Sequence, residues 1–177
     1  MRHNRASPAS LCFLYATFTE DQINVIIQMG FRSMTRISCP NLDNNLCLWL
    51  GNRYDPASRC LVIPGRGRIK LDEALVFCTM GLPRGPLDVP YRIDREIEPK
   101  LFSYLYPEHG GLQPMVSHLW DELSKIRTHG KRFKMLFLHY LISAVLAPTT
   151  SLRVSNRCYP VLVCYWIFTL LIPSLCN

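Results

Sequence analysis

"DPASRCLVIPGRGRI", residues Asp55 to Ile69, is the stretch that decides the fold. Two glycines stand among three arginines, Arg59, Arg66 and Arg68. Read as a phosphate cradle, it would place a nucleotide at the edge of an α/β sheet. Read as a tight turn between two strands, it leaves a helical chain with one small hairpin. Spacing separates the two. A dinucleotide fingerprint needs a third glycine where Lys70 stands, and a Walker loop needs its second glycine at that same position, followed by Lys and then Ser or Thr. The chain continues Lys70-Leu71-Asp72 instead. No apolar parallel-type strand leads into the glycines with a helix opening directly from them. "CLVI", "PGRG" and "RIKL" therefore read as strand, turn and strand. Pro64 and Gly65 suit the central positions of a type II turn, where glycine supplies the positive φ.

Outward from the hairpin, the patterns are helical. "TEDQINVIIQMG" opens with Thr19 as cap and Gln22 three residues on, a capping box, carries Ile23, Ile26 and Ile27 as its stripe, and stops at Gly30. "NLDNNLCLWLG" offers Asn41 as cap and Leu42, Leu46, Trp49 and Leu50 on one face. "DEALVFCTMG" follows the hairpin, with Leu71, Leu75 and Cys78 along one side. "EPKLFSYLYP" is a short helix between Pro99 and Pro107. "QPMVSHLWDELSKIRTHG" is the clearest amphipathic helix, with Met115, Leu119, Trp120, Leu123 and Ile126 at three- and four-residue steps and Gly130 ending it. "KRFKMLFLHYLISAVLA" is more apolar and reads as a central helix stopped by Pro148. The expected fold is mainly α: a single helical domain with one small β-hairpin. The expected divisions are a loose N-terminal arm over 1–18, a helical domain over 19–158 and an apolar C-terminal tail over 159–177.

Composition fits one domain. The 177 residues are 49% hydrophobic and 19% charged, which opposes global disorder. The formal charge of +7 attracts polyanions, but the excess is spread along the chain rather than gathered in an arm. The 8 cysteines, Cys12, Cys39, Cys47, Cys60, Cys78, Cys158, Cys164 and Cys176, include no C-x-x-C pair, and no histidine lies at ligand spacing from them. Most stand among apolar neighbours, which reads as reduced core thiols in an intracellular protein rather than as disulfides or zinc ligands.

Motifs of catalysis are missing. His109, His118, His129 and His139 have no motif partner, and no G-x-S-x-G, H-E-x-x-H or Cys-His arrangement occurs. His118 and His139 sit in helical patterns, where a lone histidine is usually a bonded structural side chain. Asp55, Asp72, Asp88 and Asp94 are scattered among turns and caps. No catalytic residue, cofactor site, metal site or small-molecule substrate is assigned. The candidate site is a basic cluster, Lys125, Arg127, Lys131, Arg132 and Lys134, straddling a turn between two helices. Cations near a helix C-terminus favour the macrodipole, which accounts for Lys125 and Arg127 without a ligand. Contact with nucleic acid is the functional alternative. The run "YPVLVCYWIFTLLIPSLC" carries no charge, and Arg153 and Arg157 lie just upstream, so a tail anchor in a membrane through 159–177 competes with a buried last helix. Pro160 and Pro173 leave only Val161 to Ile172 unbroken, which is short for a span.

The same central region carries a resemblance. "CLWLGNRYDPASRCLVIPGRGRIKLDEALVFCTMGLPRG", Cys47 to Gly85, resembles the plant mobile domain, a module also labelled aminotransferase-like and found in transposon-derived plant proteins. Trp49, Asp55-Pro56, Ser58, Leu61, Asp72 and Gly81-Leu82-Pro83 carry it, and "LAPTTSLRVSNRCYPVLV", Leu146 to Val163, resembles a segment of a subgroup from grasses. The similarity runs over about 30–163. It implies a mainly helical, nuclear, non-enzymatic module that acts by protein or nucleic-acid contact. Beyond Val163 the chain turns apolar where the family's pattern continues with charged helical sequence.

Overall fold

The structure, a computed structural model, describes residues 8–38, 42–82, 88, 90–110, 112–148 and 151–164. It is mainly α-helical with a small three-stranded antiparallel sheet. The centre is α7 (Lys131–Leu141), in which Phe133 and every residue from Met135 to Leu141 are buried. A helix apolar on all sides must be surrounded. α1 (Pro8–Tyr15), α2 (Glu20–Ile26), α5 (Ile97–Leu105) and α6 (Val116–Lys125) supply the surrounding core side chains. Leu11, Ile26, Leu105, Leu119 and Leu123 are among the core residues with essentially no exposure. α7 runs on into a π-turn, Ile142–Leu146, ahead of Pro148.

Residues 8–15, expected within a loose N-terminal arm, instead form α1. Leu11 and Leu14, one turn apart, point into the core, and the Trp120 indole N–H donates to the Ser10 carbonyl at 3.1 Å. The helix is too short for its periodicity to stand out. At the other end, Tyr159, Pro160 and Leu162 are buried in the same core, so the first turn of the expected tail packs with the domain. Residues 165–177, which hold most of that tail, lie outside the described residues. Among the described residues no helix is long and apolar enough to cross a membrane.

The capping box at α2 forms as expected. Gln22 N–H donates to the Thr19 hydroxyl at 3.3 Å, and Thr19 N–H donates to Gln22 Oε1 at 2.9 Å. The Gln22 amide then donates to the carbonyls of Ile126 and Thr128, each at 3.0 Å. α6 ends at Lys125, with Ile126 extended, and not at Gly130, and Gln22 bonds two of the carbonyls that follow it.

The central part of the chain lies outside the core. It comprises α3 (Asn44–Gly51), the strands β1 (Tyr54–Asp55), β2 (Cys60–Ile63) and β3 (Gly67–Lys70), and α4 (Glu73–Met80). The Asp43 carboxylate caps α3 by accepting from Asn45 N–H and Leu46 N–H. The expected cap, Asn41, lies outside the described residues. The hairpin is present: Gly65 has φ +69°, and Arg66 N–H donates to the Ile63 carbonyl at 3.0 Å across the turn. β1, only two residues long, adds a third strand, with Tyr54 opposite Leu61 and Asp55 opposite Cys60. α4 ends at Gly81 in the left-handed region, where an added Cβ would run into the Ser33 side chain. Through this approach, and through the partly buried Met80 and Leu82, the lobe 42–82 meets the helical body. Among the described residues between Thr35 and Lys100 none is buried.

Candidate functional site

Three places in the molecule gather chemistry, and each is built differently. The first is the basic turn between α6 and α7. The structure divides its five cations. Arg127 donates to the carbonyls of Thr17 and Ser124, each at 3.1 Å, fastening the end of α6 to the turn after α1. Arg132 donates to the Leu105 carbonyl at 3.1 Å and pairs with the Glu122 carboxylate, tying α5, α6 and α7 together. Both guanidiniums are thus engaged in holding helices. Lys125 and Lys131 are exposed, and Lys134 is half-buried. The Lys131 ammonium sits 5.4 Å from the centre of the Tyr104 ring, and desolvation lowers its pKa. Phe133, between these cations, faces the core. The turn offers lysines to solvent and no stack of exposed aromatic rings among them.

The second is a buried polar network around His139. Its Nε2 lies 2.9 Å from the Ser155 carbonyl oxygen and its Nδ1 lies 2.7 Å from the Tyr106 hydroxyl. A carbonyl only accepts, so Nε2 carries the proton and Nδ1 accepts from the Tyr106 O–H. Burial holds the ring neutral by lowering its pKa to about 4. Burial likewise raises the Tyr106 phenol well above its ordinary value and pushes the Cys158 thiol up to about 11. Ser155 N–H donates to the Ser143 hydroxyl at 3.3 Å, within the π-turn. Both ring nitrogens are satisfied inside the protein, so His139 acts as the bonded structural histidine its helical pattern suggests.

Beside this network runs a shallow groove of about 500 Å³ lined by Glu98, Phe102, Tyr106 and Gln113. The Glu98 carboxylate accepts from the Gln113 amide at 3.2 Å and the Asn156 amide at 3.0 Å, and Tyr159 O–H donates to Gln113 Oε1 at 2.7 Å. The sequence did not mark this constellation, because its members lie on three separate segments, α5, the loop at Gln113 and residues 156–159. Nor did it pair His109 with His118, whose rings stack with centroids 5.8 Å apart. Among the described residues, no group of three His, Cys, Asp or Glu side chains could hold a metal ion. Of the six described cysteines, all free, only Cys158 is buried. The expectation of core thiols therefore holds for that residue alone, and Cys78 and Cys164 are exposed.

The third is the lobe 42–82. Leu46 (53% exposed) and Trp49 (41%), which the sequence places on one helical face, face solvent. Of fifteen large apolar side chains exposed among the described residues, nine lie between Leu46 and Phe77. Scattered exposed apolar residues are ordinary, but this concentration on one small unit is not. The hairpin arginines are a solvated rim in part only. Arg68 bonds Asp55 at 3.2 Å and the Ser58 hydroxyl at 2.7 Å, and Arg53 lies 5.5 Å over the Trp49 ring. The Ser58 hydroxyl, then Ala57 N–H, lower the Asp55 pKa.

The fold and these three places define a mainly helical protein that carries a solvent-borne apolar lobe. The chain belongs to the family described as Domain of unknown function (DUF8566), whose model matches residues 4–165. The match takes in the helical body and the lobe together. No curated protein and no solved structure matches the chain.

Proposed function

We propose that this chain is a non-enzymatic contact module of transposon-derived origin, acting in the nucleus, and that its lobe 42–82 is the surface that meets a protein partner. The observation that carries the reading is the absence of any buried side chain among the described residues from Thr35 to Lys100, together with the nine large apolar side chains exposed between Leu46 and Phe77. An ordered unit with so much apolar area in water gains by being covered, at roughly 25 cal/mol for each Å² removed from solvent. The motif resemblance supports the transposon-derived origin and the nuclear setting. A photo-reactive residue placed at Phe77, in nuclear extract, is expected to give discrete cross-linked species. The same group at Leu152, also exposed but on the helical body, is expected to give none. Equal labelling from both sites would contradict the reading.

Nucleic-acid contact is the second reading, favoured by the exposed Lys125 and Lys131 beside one turn. It predicts a salt-dependent DNA shift that weakens when Lys125, Lys131 and Lys134 are changed to Gln. A shift indifferent to salt and to those changes would remove it.

A further inference from the structure

Among the described residues the sheet order β1-β2-β3 leaves β3 as an open edge, and all four of its residues are exposed. Leu71 N–H donates to the Arg59 carbonyl at 2.8 Å, which fixes the alternation of the ladder. Gly67, Ile69 and Leu71 turn their backbone groups toward β2, so Arg68 and Lys70 turn theirs toward the open side. Directly paired residues share a face of the sheet. Tyr54, Leu61 and Ile69 therefore make one apolar row across all three strands, with Tyr54 40% and Ile69 46% exposed. Arg68 and Lys70 stand on the opposite face.

Charge decides what fits this edge. Between Arg53 and Lys70 the sequence carries five cations, Arg53, Arg59, Arg66, Arg68 and Lys70, against the single carboxylate of Asp55. The ion pairs Arg68–Asp55 and Lys70–Asp72 are both well exposed, so exchanging their partners costs little. A second copy pairing β3 with β3 would set cation against cation along the new ladder, which is destabilising. Basic residues on an edge strand blunt it against its own kind and leave it open to a strand of opposite charge.

We infer that the β3 edge accepts an extended segment of a partner protein in which apolar and acidic residues alternate, added as a fourth strand. Its apolar residue lies beside Ile69 and extends the Tyr54–Leu61–Ile69 row. Its acidic residues lie beside Arg68 and Lys70. The outward backbone groups of those two residues supply the main-chain hydrogen bonds. This inference rests on the reading of the lobe as a contact surface.

The test uses the full chain, isotope-labelled, and a peptide of about nine residues alternating valine and glutamate, long enough to pass the whole strand. Hydrogen exchange at the Arg68 and Lys70 amides should slow at least tenfold with this peptide and stay unchanged with a valine–lysine peptide. The double change Arg68→Glu and Lys70→Glu should abolish the protection while the β2–β3 ladder amides remain as in the parent chain. If charge reversal unfolds the hairpin, the milder pair Arg68→Gln and Lys70→Gln should weaken protection at least threefold. Equal protection by both peptides, or binding of a single-stranded DNA oligomer at this edge in place of the acidic peptide, overturns the inference. No protection at β3 while Phe77 still cross-links overturns strand addition and leaves the contact surface standing. Loss of both overturns the two together.

Discussion

The Tyr106 hydroxyl and His139 Nδ1 lie 2.7 Å apart, joining the end of α5 to the last turn of α7 across thirty-three residues of sequence. The bond sits on the far side of the ring from the one that His139 Nε2–H makes to Ser155. One neutral imidazole thereby binds α5, α7 and the segment after the π-turn.

Removing the donor should be costly. Tyr106→Phe keeps the ring packing and leaves a buried nitrogen without its proton donor, a loss of about 1–3 kcal/mol. Urea unfolding should show the midpoint falling with the slope unchanged. An unchanged midpoint would mean that the bond contributes nothing net.

The same ring makes stability depend on pH. Its folded pKa, about 4, lies below the ordinary 6.5, so the unfolded chain takes up the proton first. The contribution is complete above pH 6.5 and is lost as pH falls from 6.5 toward 4, reaching about 3 kcal/mol. His139→Gln should flatten that part of the stability curve relative to the parent chain. Parallel curves between the two would contradict the burial of a neutral ring.

Gln22 uses both atoms of its side-chain amide, Oε1 accepting within the capping box and Nε2 donating to two carbonyls beyond α6. Gln22→Ala should cost about 2–4 kcal/mol from the lost bonds and the buried acceptors left behind. Thr19→Ala, which removes only the cap, should cost about 1 kcal/mol. Thermal melts of the two variants should keep that order.

Two glycines with similar φ should respond differently. Gly65→Ala has open space and meets only the left-handed penalty, about 1 kcal/mol, whereas Gly81→Ala also meets the Ser33 side chain. Gly81→Ala should therefore be the more damaging by melting temperature. Combining it with Ser33→Gly should recover part of the loss, a coupling that a double-mutant cycle measures.

How much of this the sequence announces depends on range. The capping box at Thr19 and Gln22, the turn at Gly65 and the stripe of α6 are local patterns, and each is present as its residues suggest. The carbonyls that follow α6 are bonded by Gln22, more than a hundred residues away, and no local pattern holds that information. The periodicity of Leu46 and Trp49 gives a helix correctly but not its surroundings. An apolar stripe looks the same whether it faces a core or awaits a partner. The polar network of Tyr106, His139 and Ser155 has no motif, because three distant segments meet only after the helices pack. Arg127 and Arg132 are indistinguishable in sequence from the lysines beside them until their carbonyl partners are seen.

The central claim is that the helical body holds its core without the lobe 42–82. Native-state hydrogen exchange on the full chain tests it directly. Amides of Phe133 to Leu141 in α7 should exchange only through global unfolding. Those of α3, the sheet and α4 should open at least about 2 kcal/mol more easily. Protection of the lobe amides equal to that of α7 would contradict the claim, because the lobe would then belong to the same cooperative core.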